Sequence, residues 1–302
     1  MNRDKELPLA LTERWTLPHP QWPQATWDLV LRHCSGEEWV QDLPDECIDL
    51  VYIDPPFATG REWKMQWDGG VTTSFADPVG DIEDYTQWLA QILAQVHRVL
   101  KPTGSLCVHL DWHAVHYVKV ALDGIFGYSN FKNEIIWAYR TAGNSKRHFA
   151  RKHDTILLYA KDVKEAKFNV LKQRSYLKKR YGYGAHYQEH FDPERQQYYT
   201  EVLMRDVWTD IPALKGCNRE RVGYPTQKPL KLLERLILAT TDPDDVVADF
   251  FCGSGTTLEA AVRHGRRFLG CDISQEAVTI ARERLLRARK ALAQMQLFEG
   301  EL

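Results

Sequence analysis

A buried strand that ends on a carboxylate is the first part of this 302-residue chain that could do chemistry. The apolar run at 51–53 leads into one acid, two prolines and an aromatic residue, which are Asp54, Pro55, Pro56 and Phe57. Each proline fixes its backbone dihedral and lacks an N–H group. The carboxylate and the neighbouring carbonyl group are therefore held in fixed directions, which suits two acceptors aimed at one ligand.

A second candidate site is a glycine pair between a predicted strand and a predicted helix. It contributes Asp249, Phe251, Gly253, Gly255 and Thr256. Glycines at this place let the backbone turn tightly and approach a ligand closely. Two glycines without further motif residues are explained equally well by a plain turn. The dinucleotide fingerprint asks for a third glycine where this chain has Leu258, and no phosphate-loop lysine follows. A cofactor with a pyrophosphate group is therefore disfavoured.

An acid after the next predicted strand, Asp272, lies seventeen residues beyond Gly255. Its carboxylate is placed to accept hydrogen bonds from both hydroxyl groups of a ribose. Alternatively, it is an acid at a helix N-terminus before Ser274. The glycine loop and this acid together fit a nucleoside without a diphosphate, and they indicate S-adenosylmethionine as the cofactor.

The elements that must position these residues alternate between strands and helices. Apolar patterns predict strands at 27–31, 48–53, 105–110, 133–139, 154–160, 246–249 and 268–271. Helical spacing predicts helices at 84–100, 113–124, 226–240, 256–264 and 274–297. This alternation predicts an α/β fold with a doubly wound, mostly parallel sheet. Ligands bind outside the carboxyl ends of such strands, which is where Asp54, Asp249 and Asp272 fall.

Composition excludes several classes of protein. Hydrophobic residues make up 44% and charged residues 26%, as in ordinary globular proteins, and no apolar run of about 18 residues predicts a membrane span. The N-terminus is interrupted by charges and prolines, so we expect a cytoplasmic protein with no membrane partner. The six cysteines form no Cys-x-x-Cys pair, which argues against a metal site and a disulfide framework.

Positive charge is concentrated in one part of the chain. Residues 140–180 contain thirteen lysines and arginines against three acids, whereas the whole chain has a net charge of −2. This distribution indicates a surface that faces a polyanion. We expect nucleic-acid contacts from Lys172, Arg174, Lys178, Lys179, Arg180 and Tyr181, where basic and aromatic side chains alternate. A solvated basic loop with tyrosines packed beneath it is the alternative.

Four motifs in a fixed order resemble one enzyme family. The stretches DPPF, YPTQKPLKLLERLI, DFFCGSGTT and GCDIS are similar to those of the amino-methyltransferases that act on exocyclic amines of DNA bases. The DPPF motif precedes the cofactor glycines by nearly 200 residues, as in the β-class order of that family. The resemblance covers residues 27–160 and 222–290, and it implies a Rossmann-like methyltransferase fold.

The resemblance also implies a domain organisation and partners. Residues 27–160 and 221–302 form the catalytic domain, with an inserted basic target-recognition region at 161–220 and an N-terminal arm at 1–26. The expected substrate is double-stranded DNA, the expected methyl donor is S-adenosylmethionine, and a homodimer is expected because relatives are often dimers.

Individual roles follow from the same resemblance. Asp54 and the carbonyl of Pro55 would each accept one N–H of the target amine, which localises the lone pair of its nitrogen for in-line attack on the sulfonium methyl group. Phe57 would stack on a base flipped out of the duplex. Thr226 and Lys228 match the motif that helps to hold the methionine end of the cofactor, and the glycine loop matches the cofactor loop.

One position departs from the family. Relatives often carry Gly-Asp-Cys after the first strand, with the acid on the cofactor's adenine, whereas this chain has Arg32, His33 and Cys34. The contact to the cofactor's adenine is therefore left open, and His33 is equally well explained as a structural or a functional residue.

Other substrates and functions remain as alternatives. Relatives that act on cytosine N4 more often carry serine in place of the acid, so Asp54 favours adenine N6. An RNA or protein amine is a further alternative, because similar loops serve those substrates. A Rossmann-like oxidoreductase is disfavoured by Leu258, and a DNA-binding module without catalysis is disfavoured by the intact acid and glycine loop.

Overall fold

A nine-stranded sheet forms the centre of the protein. The computed structural model describes residues 12–18, 26–57, 62–66, 72–76, 81–141, 145–177, 188–215 and 218–299. In chain order, their elements are β1 (Thr12–Pro18), β2 (Thr26–His33), α1 (Gly36–Asp42), β3 (Ile48–Ile53), β4 (Glu62–Gln66), β5 (Thr72–Ala76), α2 (Ile82–Val99), β6 (Leu100–Leu110), α3 (Val115–Phe126), β7 (Phe131–Ala138), β8 (His153–Ala160), β9 (Lys172–Tyr176), β10 (Glu189–Asp192), β11 (Gln197–Leu203), β12 (Val207–Trp208), α4 (Leu230–Thr240), β13 (Val246–Asp249), α5 (Thr256–Arg263), β14 (Arg267–Asp272) and α6 (Gln275–Glu299).

The strand order confirms the predicted doubly wound, mostly parallel sheet. The order is β1-β2-β14-β13-β3-β6-β8-β7-β12. Within the run β2-β14-β13-β3-β6, each strand is parallel to the next, and β7 is parallel to β12. Strand β8 is antiparallel to both β6 and β7, because a loop rather than a crossover helix joins β7 to β8.

Helices cover both faces of the sheet. In β3, the side chains of Leu50 and Tyr52 pack in one apolar cluster with α4, α5 and α6. The alternate residues Val51 and Ile53 pack in a second cluster with α1, α2 and α3. Burial on both faces explains the uninterrupted apolar run that precedes Asp54.

Two predicted domain boundaries differ from the structure. Part of the predicted arm, Thr12–Pro18, pairs antiparallel with β2 and so extends the central sheet. Within the predicted insert, β10, β11 and β9 form a separate three-stranded sheet, but β12 returns to pair with β7. Trp208 and Ile211 are buried in the central core, where the indole N–H of Trp137 donates to the Ile211 carbonyl at 2.8 Å. Residues 207–215 therefore belong with the central domain.

Helix α4 begins later than its apolar pattern predicts. The predicted start was Thr226, whereas the first helical residue is Leu230, whose N–H donates to the Glu220 carboxylate at 2.5 Å. The side chain of Gln227 donates to the Glu220 carbonyl and accepts from the N–H of Val222, both at 2.8 Å. These contacts hold residues 226–228 as a loop that can reach across the edge of the sheet.

A two-stranded hairpin, which no apolar pattern predicts, follows the DPPF motif. Strand β4 pairs antiparallel with β5, with Glu62 opposite Ala76 and Gln66 opposite Thr72. No helix in the described part of the chain combines the length and apolar composition that crossing a bilayer requires.

Candidate active site

The carboxyl ends of the central strands meet in a cleft of about 1310 Å³. The cleft brings together most of the residues predicted from sequence to be catalytic or to bind a cofactor. They are Asp54, Pro55, Pro56, Phe57, Thr226, Lys228, Asp249, Phe251, Gly253, Thr256 and Asp272. Residues from motifs far apart in sequence thus lie together at the carboxyl edge of the sheet, as the strand order requires.

The carboxylate of Asp54 has one engaged oxygen and one free oxygen. Its Oδ2 accepts a hydrogen bond from Lys228 Nζ, and the two side chains are only 16% and 11% exposed. Among the side chains that the structure describes, Asp54 Oδ1 is one of the few buried oxygens with no hydrogen-bond partner. A buried acceptor without a donor is unfavourable, so this oxygen is suited to a ligand that brings an N–H or O–H group.

Lys228 links the DPPF motif to the start of α5 after the glycine loop. Its Nζ lies on Asp54 and 5.3 Å from the centre of the Phe57 ring, while its carbonyl accepts from Thr256 Oγ1 at 3.2 Å. The sequence predicted a contact to the cofactor's methionine end. The structure adds an ion pair that holds the carboxylate of Asp54 in place and balances its charge.

Gly253 and Gly255, in the loop between β13 and α5, have different neighbours. Both adopt positive φ, 48° at Gly253 and 74° at Gly255, a conformation that favours glycine. A Cβ on Gly253 would lie 3.1 Å from the Tyr224 ring at the cleft. A Cβ on Gly255 would lie 2.7 Å from the Cβ of Ala281 in α6. Gly255 was predicted to contact the cofactor, but it does not line the cleft, and it permits close packing of α5 on α6 instead.

Asp249 supports the loop from beneath. Its Oδ1 accepts from the N–H of Phe251 at 3.0 Å, and its Oδ2 accepts from Thr257 Oγ1 at 2.5 Å. Burial raises the pKa of the Asp249 carboxyl to about 7, although these hydrogen bonds oppose the shift. These two hydrogen bonds hold the loop in shape.

The structure places Asp272 at the cleft, shortly before α6. It lines the cleft, and its two oxygens accept from the N–H groups of Gly253 at 2.8 Å and Ser274 at 2.9 Å. Burial raises the pKa of its carboxyl. His33 lies opposite Asp272 in the β2/β14 register and its Nε2 is 2.9 Å from the Ile273 carbonyl. His33 and Ile273 also line the cleft, so the departure from the family falls beside the candidate ribose-binding acid.

A buried polar network beneath Phe57 was not predicted from sequence. The Tyr52 hydroxyl lies 2.9 Å from His109 Nδ1, His109 Nε2 lies 3.3 Å from Asp154, and the Tyr139 hydroxyl donates to Asp154 at 2.9 Å. Burial raises the pKa of the Tyr52 hydroxyl far above its usual value. The network fixes the floor on which Phe57 rests, with the Phe57 and His109 rings 6.3 Å apart.

A buried arginine supports the first turn of α5 and was also missed. Arg284 donates to Thr256 Oγ1 at 2.9 Å and forms an ion pair with Glu259, itself nearly buried. In sequence, Arg284 looks like one more charge on a long amphipathic helix. Its burial depends on how α6 packs on α5, which the sequence pattern does not specify.

The two predicted nucleic-acid contacts that the structure describes lie outside the cleft. Lys172 and Arg174 lie on β9 and have acidic partners, Glu201 at 3.7 Å and Asp192 at 3.3 Å. Four further predicted contacts lie outside the described residues, namely Lys178, Lys179, Arg180 and Tyr181.

The basic segment at 140–180 does not form a single surface. Lys161 Nζ donates to the Leu100 carbonyl at 2.7 Å, and Lys167 pairs with Asp245 at 2.6 Å. Leu100 and Asp245 lie at the amino ends of β6 and β13, the edge opposite the cleft. The prediction of one polyanion-facing surface is therefore wrong for the stretch around 161–167.

Known proteins of similar sequence identify the family. Residues 48–283 match the family model described as DNA methylase, which is named for N6 and N4 methyltransferases. The chain belongs to this family. The methylase is 29% identical to the DNA adenine methyltransferase YhdJ of Escherichia coli, over 82% of this chain and 79% of that protein.

Solved structures show the same fold. The methylase matches the PvuII DNA methyltransferase, described as cytosine-N4-specific, with a TM-score of 0.60, 18% identity and coverage of 88% of this chain and 92% of that one. It matches M1.HpyAVI, solved as a complex with SAM, with a TM-score of 0.55, 20% identity and coverage of 84% and 98%. These likenesses support the Rossmann-like methyltransferase fold predicted from the motifs.

Proposed function

We propose that this methylase transfers a methyl group from S-adenosylmethionine to the N6 amine of an adenine flipped out of duplex DNA. The observation that carries the proposal is the free, buried Oδ1 of Asp54 at the end of the DPPF motif. A primary amine supplies the N–H donor that this oxygen lacks. YhdJ, which is similar over most of the chain, is named a DNA adenine methyltransferase.

The cleft fits S-adenosylmethionine on several features of its wall. Gly253 presents bare backbone, Asp272 offers carboxylate oxygens at the place of a ribose, and Ile273 exposes an apolar side chain beside His33 for the adenine ring. M1.HpyAVI, which has the same fold, is described as a complex with SAM. When bound, S-adenosylmethionine supplies an electrophilic methyl group.

The chain's own residues act on the target amine. Asp54 Oδ1 accepts one N–H and orients the nitrogen, and the Pro55 carbonyl is the proposed acceptor for the other. Lys228 keeps the carboxylate in position through Oδ2. The amine must release one proton on methylation, and Asp54 Oδ1, which would already accept one of its N–H groups, is the acceptor that we propose for it. Positioning and fixed charges of this kind account for much of the rate in enzymes without covalent intermediates.

Adenine is favoured over cytosine by the acid at position 54. Relatives that act on cytosine N4 more often have serine there, according to the family resemblance stated above. Cytosine N4 is the second candidate, because the PvuII enzyme, which shares the fold, is described as cytosine-N4-specific.

We place target recognition in the separate sheet formed by β9, β10 and β11. The rings of His190 and Tyr176 lie on either side of Tyr199, with centroids 5.3 and 5.8 Å away, and the Arg174 guanidinium lies 4.6 Å from the Tyr199 centroid. Planar groups of this kind stack on bases, and the neighbouring cations attract phosphates.

The deciding experiment is methyl transfer from tritiated S-adenosylmethionine to unmethylated genomic DNA, followed by nucleoside analysis. We expect label in N6-methyladenine. Label in N4-methylcytosine would move the assignment to the second candidate. Transfer to RNA or to protein, with none to DNA, would overturn the proposal.

A further inference from the structure

The loop between β7 and β8 is the basic surface at the cleft. Residues 139–153 contain five lysines and arginines and no acid. The structure describes all of them except 142–144. Thr141, Arg151 and His153 line the cleft, since this loop leaves the sheet at the same edge as Asp54. Unlike Lys161 and Lys167, these cations lie where a polyanion bound over the cleft would meet them.

An apolar side chain projects from the middle of this basic loop. Phe149 is 98% exposed, the highest value among the large apolar side chains of the described residues. The turn that presents it is ordered by Ser145 Oγ, which accepts from the N–H groups of Arg147 and His148 at 3.3 Å. The ring of His148 bonds the Phe149 carbonyl at 2.8 Å. Burying a phenylalanine contributes about 1.5–3 kcal/mol, so a partner that covered this ring would gain binding energy of that order.

The position of Phe149 relative to the cleft is fixed by its neighbour Arg151. The guanidinium of Arg151 lies 3.5 Å above the ring of Trp112, and both side chains line the cleft. Two residues of extended chain span at most about 7 Å, so the Cα atom of Phe149 lies within about 7 Å of the Cα atom of Arg151, whose side chain lines the cleft. The exposed residues Lys146 and Arg147 precede it in the chain.

We propose that Phe149 inserts into duplex DNA at the gap that the target base leaves when it flips into the cleft, while Lys146 and Arg147 contact the flanking phosphates. The inference rests on the proposed function. Apolar side chains inserted between base steps are a common means of stabilising distorted duplexes, and an extruded base leaves such a gap. A loop with five cations and no acid selects a polyanion over an ordinary protein surface.

The test compares three variants of the full chain, Phe149→Ala, Phe149→Trp and the matched control Phe168→Ala. Phe168 is a half-exposed phenylalanine on the 161–169 segment, which lies at the opposite edge of the sheet. Methyl transfer is measured on two duplex oligonucleotides that contain the sequence methylated by the wild-type protein in genomic DNA. The second duplex carries a mismatched base opposite the target.

On the matched duplex, Phe149→Ala should lower kcat/KM by about 5- to 100-fold, the effect of losing one stacking contact to a base. Phe149→Trp should keep most of the activity, and Phe168→Ala should match the wild type. On the mismatched duplex, the loss in Phe149→Ala should be several-fold smaller, because the target base is already poorly paired. Cofactor affinity measured by calorimetry should be the same in all variants.

Two results would overturn the inference while leaving the proposed function intact. One is wild-type activity of Phe149→Ala on the matched duplex. The other is an equal loss on both duplexes, which would mean a general DNA contact and no gap filling. If the wild-type protein itself transfers no methyl group to DNA, the proposed function fails and the inference with it.

Discussion

Replacing Lys228 tests how much the active-site carboxylate depends on its ion pair. In Lys228→Met the aliphatic stem is kept and the ammonium group is lost, so the carboxylate of Asp54 remains nearly buried without a counter-charge. Since these two side chains are 11% and 16% exposed, we expect a loss of about 3–5 kcal/mol in the free energy of unfolding. Methyl transfer should also fall sharply, because the acceptor oxygen is no longer held in place.

The matched control is Lys231→Met, three residues along the chain in the first turn of α4. Lys231 pairs with Asp210 at 3.0 Å, but the two side chains are 58% and 49% exposed, and Asp210 keeps Arg235 as a second partner. An exposed pair of this kind contributes about 0–1 kcal/mol, so this variant should unfold almost like the wild type. Comparing the two variants separates the effect of burial from the loss of one positive charge.

The assay is urea unfolding at pH 7, followed by tryptophan fluorescence, on the single variants and on Asp54→Asn/Lys228→Met. Asp54→Asn removes the buried negative charge that Lys228→Met leaves without a partner. The double variant should therefore be more stable than the sum of the two single losses predicts, by roughly 0.5–3 kcal/mol. Equal losses in Lys228→Met and Lys231→Met, or strict additivity in the double variant, would show that the buried carboxylate of Asp54 does not depend on Lys228.

Three further outcomes follow from the same geometry. The pKa of Asp249 is about 7 in the folded protein and near its usual 3.8 in the unfolded chain. Because the unfolded state loses this proton at lower pH, the free energy of unfolding falls as pH rises from 3.8 to about 7. Relative to Asp249→Asn, the wild type should lose roughly 4 kcal/mol across that range, at about 1.36 kcal/mol per unit, and a pH-independent difference in urea unfolding would contradict this. Asp272→Ala should weaken S-adenosylmethionine binding by roughly 1–3 kcal/mol in calorimetry, and unchanged affinity would remove this acid from the cofactor site. Gly255→Ala should destabilise the fold by more than about 1 kcal/mol, because its Cβ would meet Ala281 at 2.7 Å in a positive-φ conformation, whereas Gly124→Ala in α3, which meets nothing within 4 Å, should be neutral or stabilising.

The carboxyl-edge site could be predicted because its signals are local in sequence. The strand at Ile48–Ile53 is buried on both faces and so reads as a continuous apolar run, and the acid that ends it is recognised at once. The same reasoning located Asp249 and Asp272. Once alternating strands and helices predict a parallel sheet, these ends must converge.

What the sequence could not predict depends on pairing between distant segments. His109 and Asp154 come together only because β8 runs antiparallel to β6, and nothing in either strand's pattern specifies that neighbour. The partner of Asp54 was missed because Lys228 was predicted to lie in a helix. In the structure, the Glu220 carboxylate accepts from the N–H of Leu230, where α4 begins, so Lys228 lies in the preceding loop. The split of the basic segment likewise depends on distant partners, the Leu100 carbonyl for Lys161 and Asp245 for Lys167.

The most direct test of the central claim is methyl transfer by the wild type and by Asp54→Ala on the same unmethylated duplex DNA. We expect N6-methyladenine from the wild type and less than a few per cent of that rate from Asp54→Ala, with S-adenosylmethionine affinity within about tenfold of the wild-type value. A variant that keeps substantial methyl transfer would contradict the role of Asp54 as the acceptor that orients the target amine.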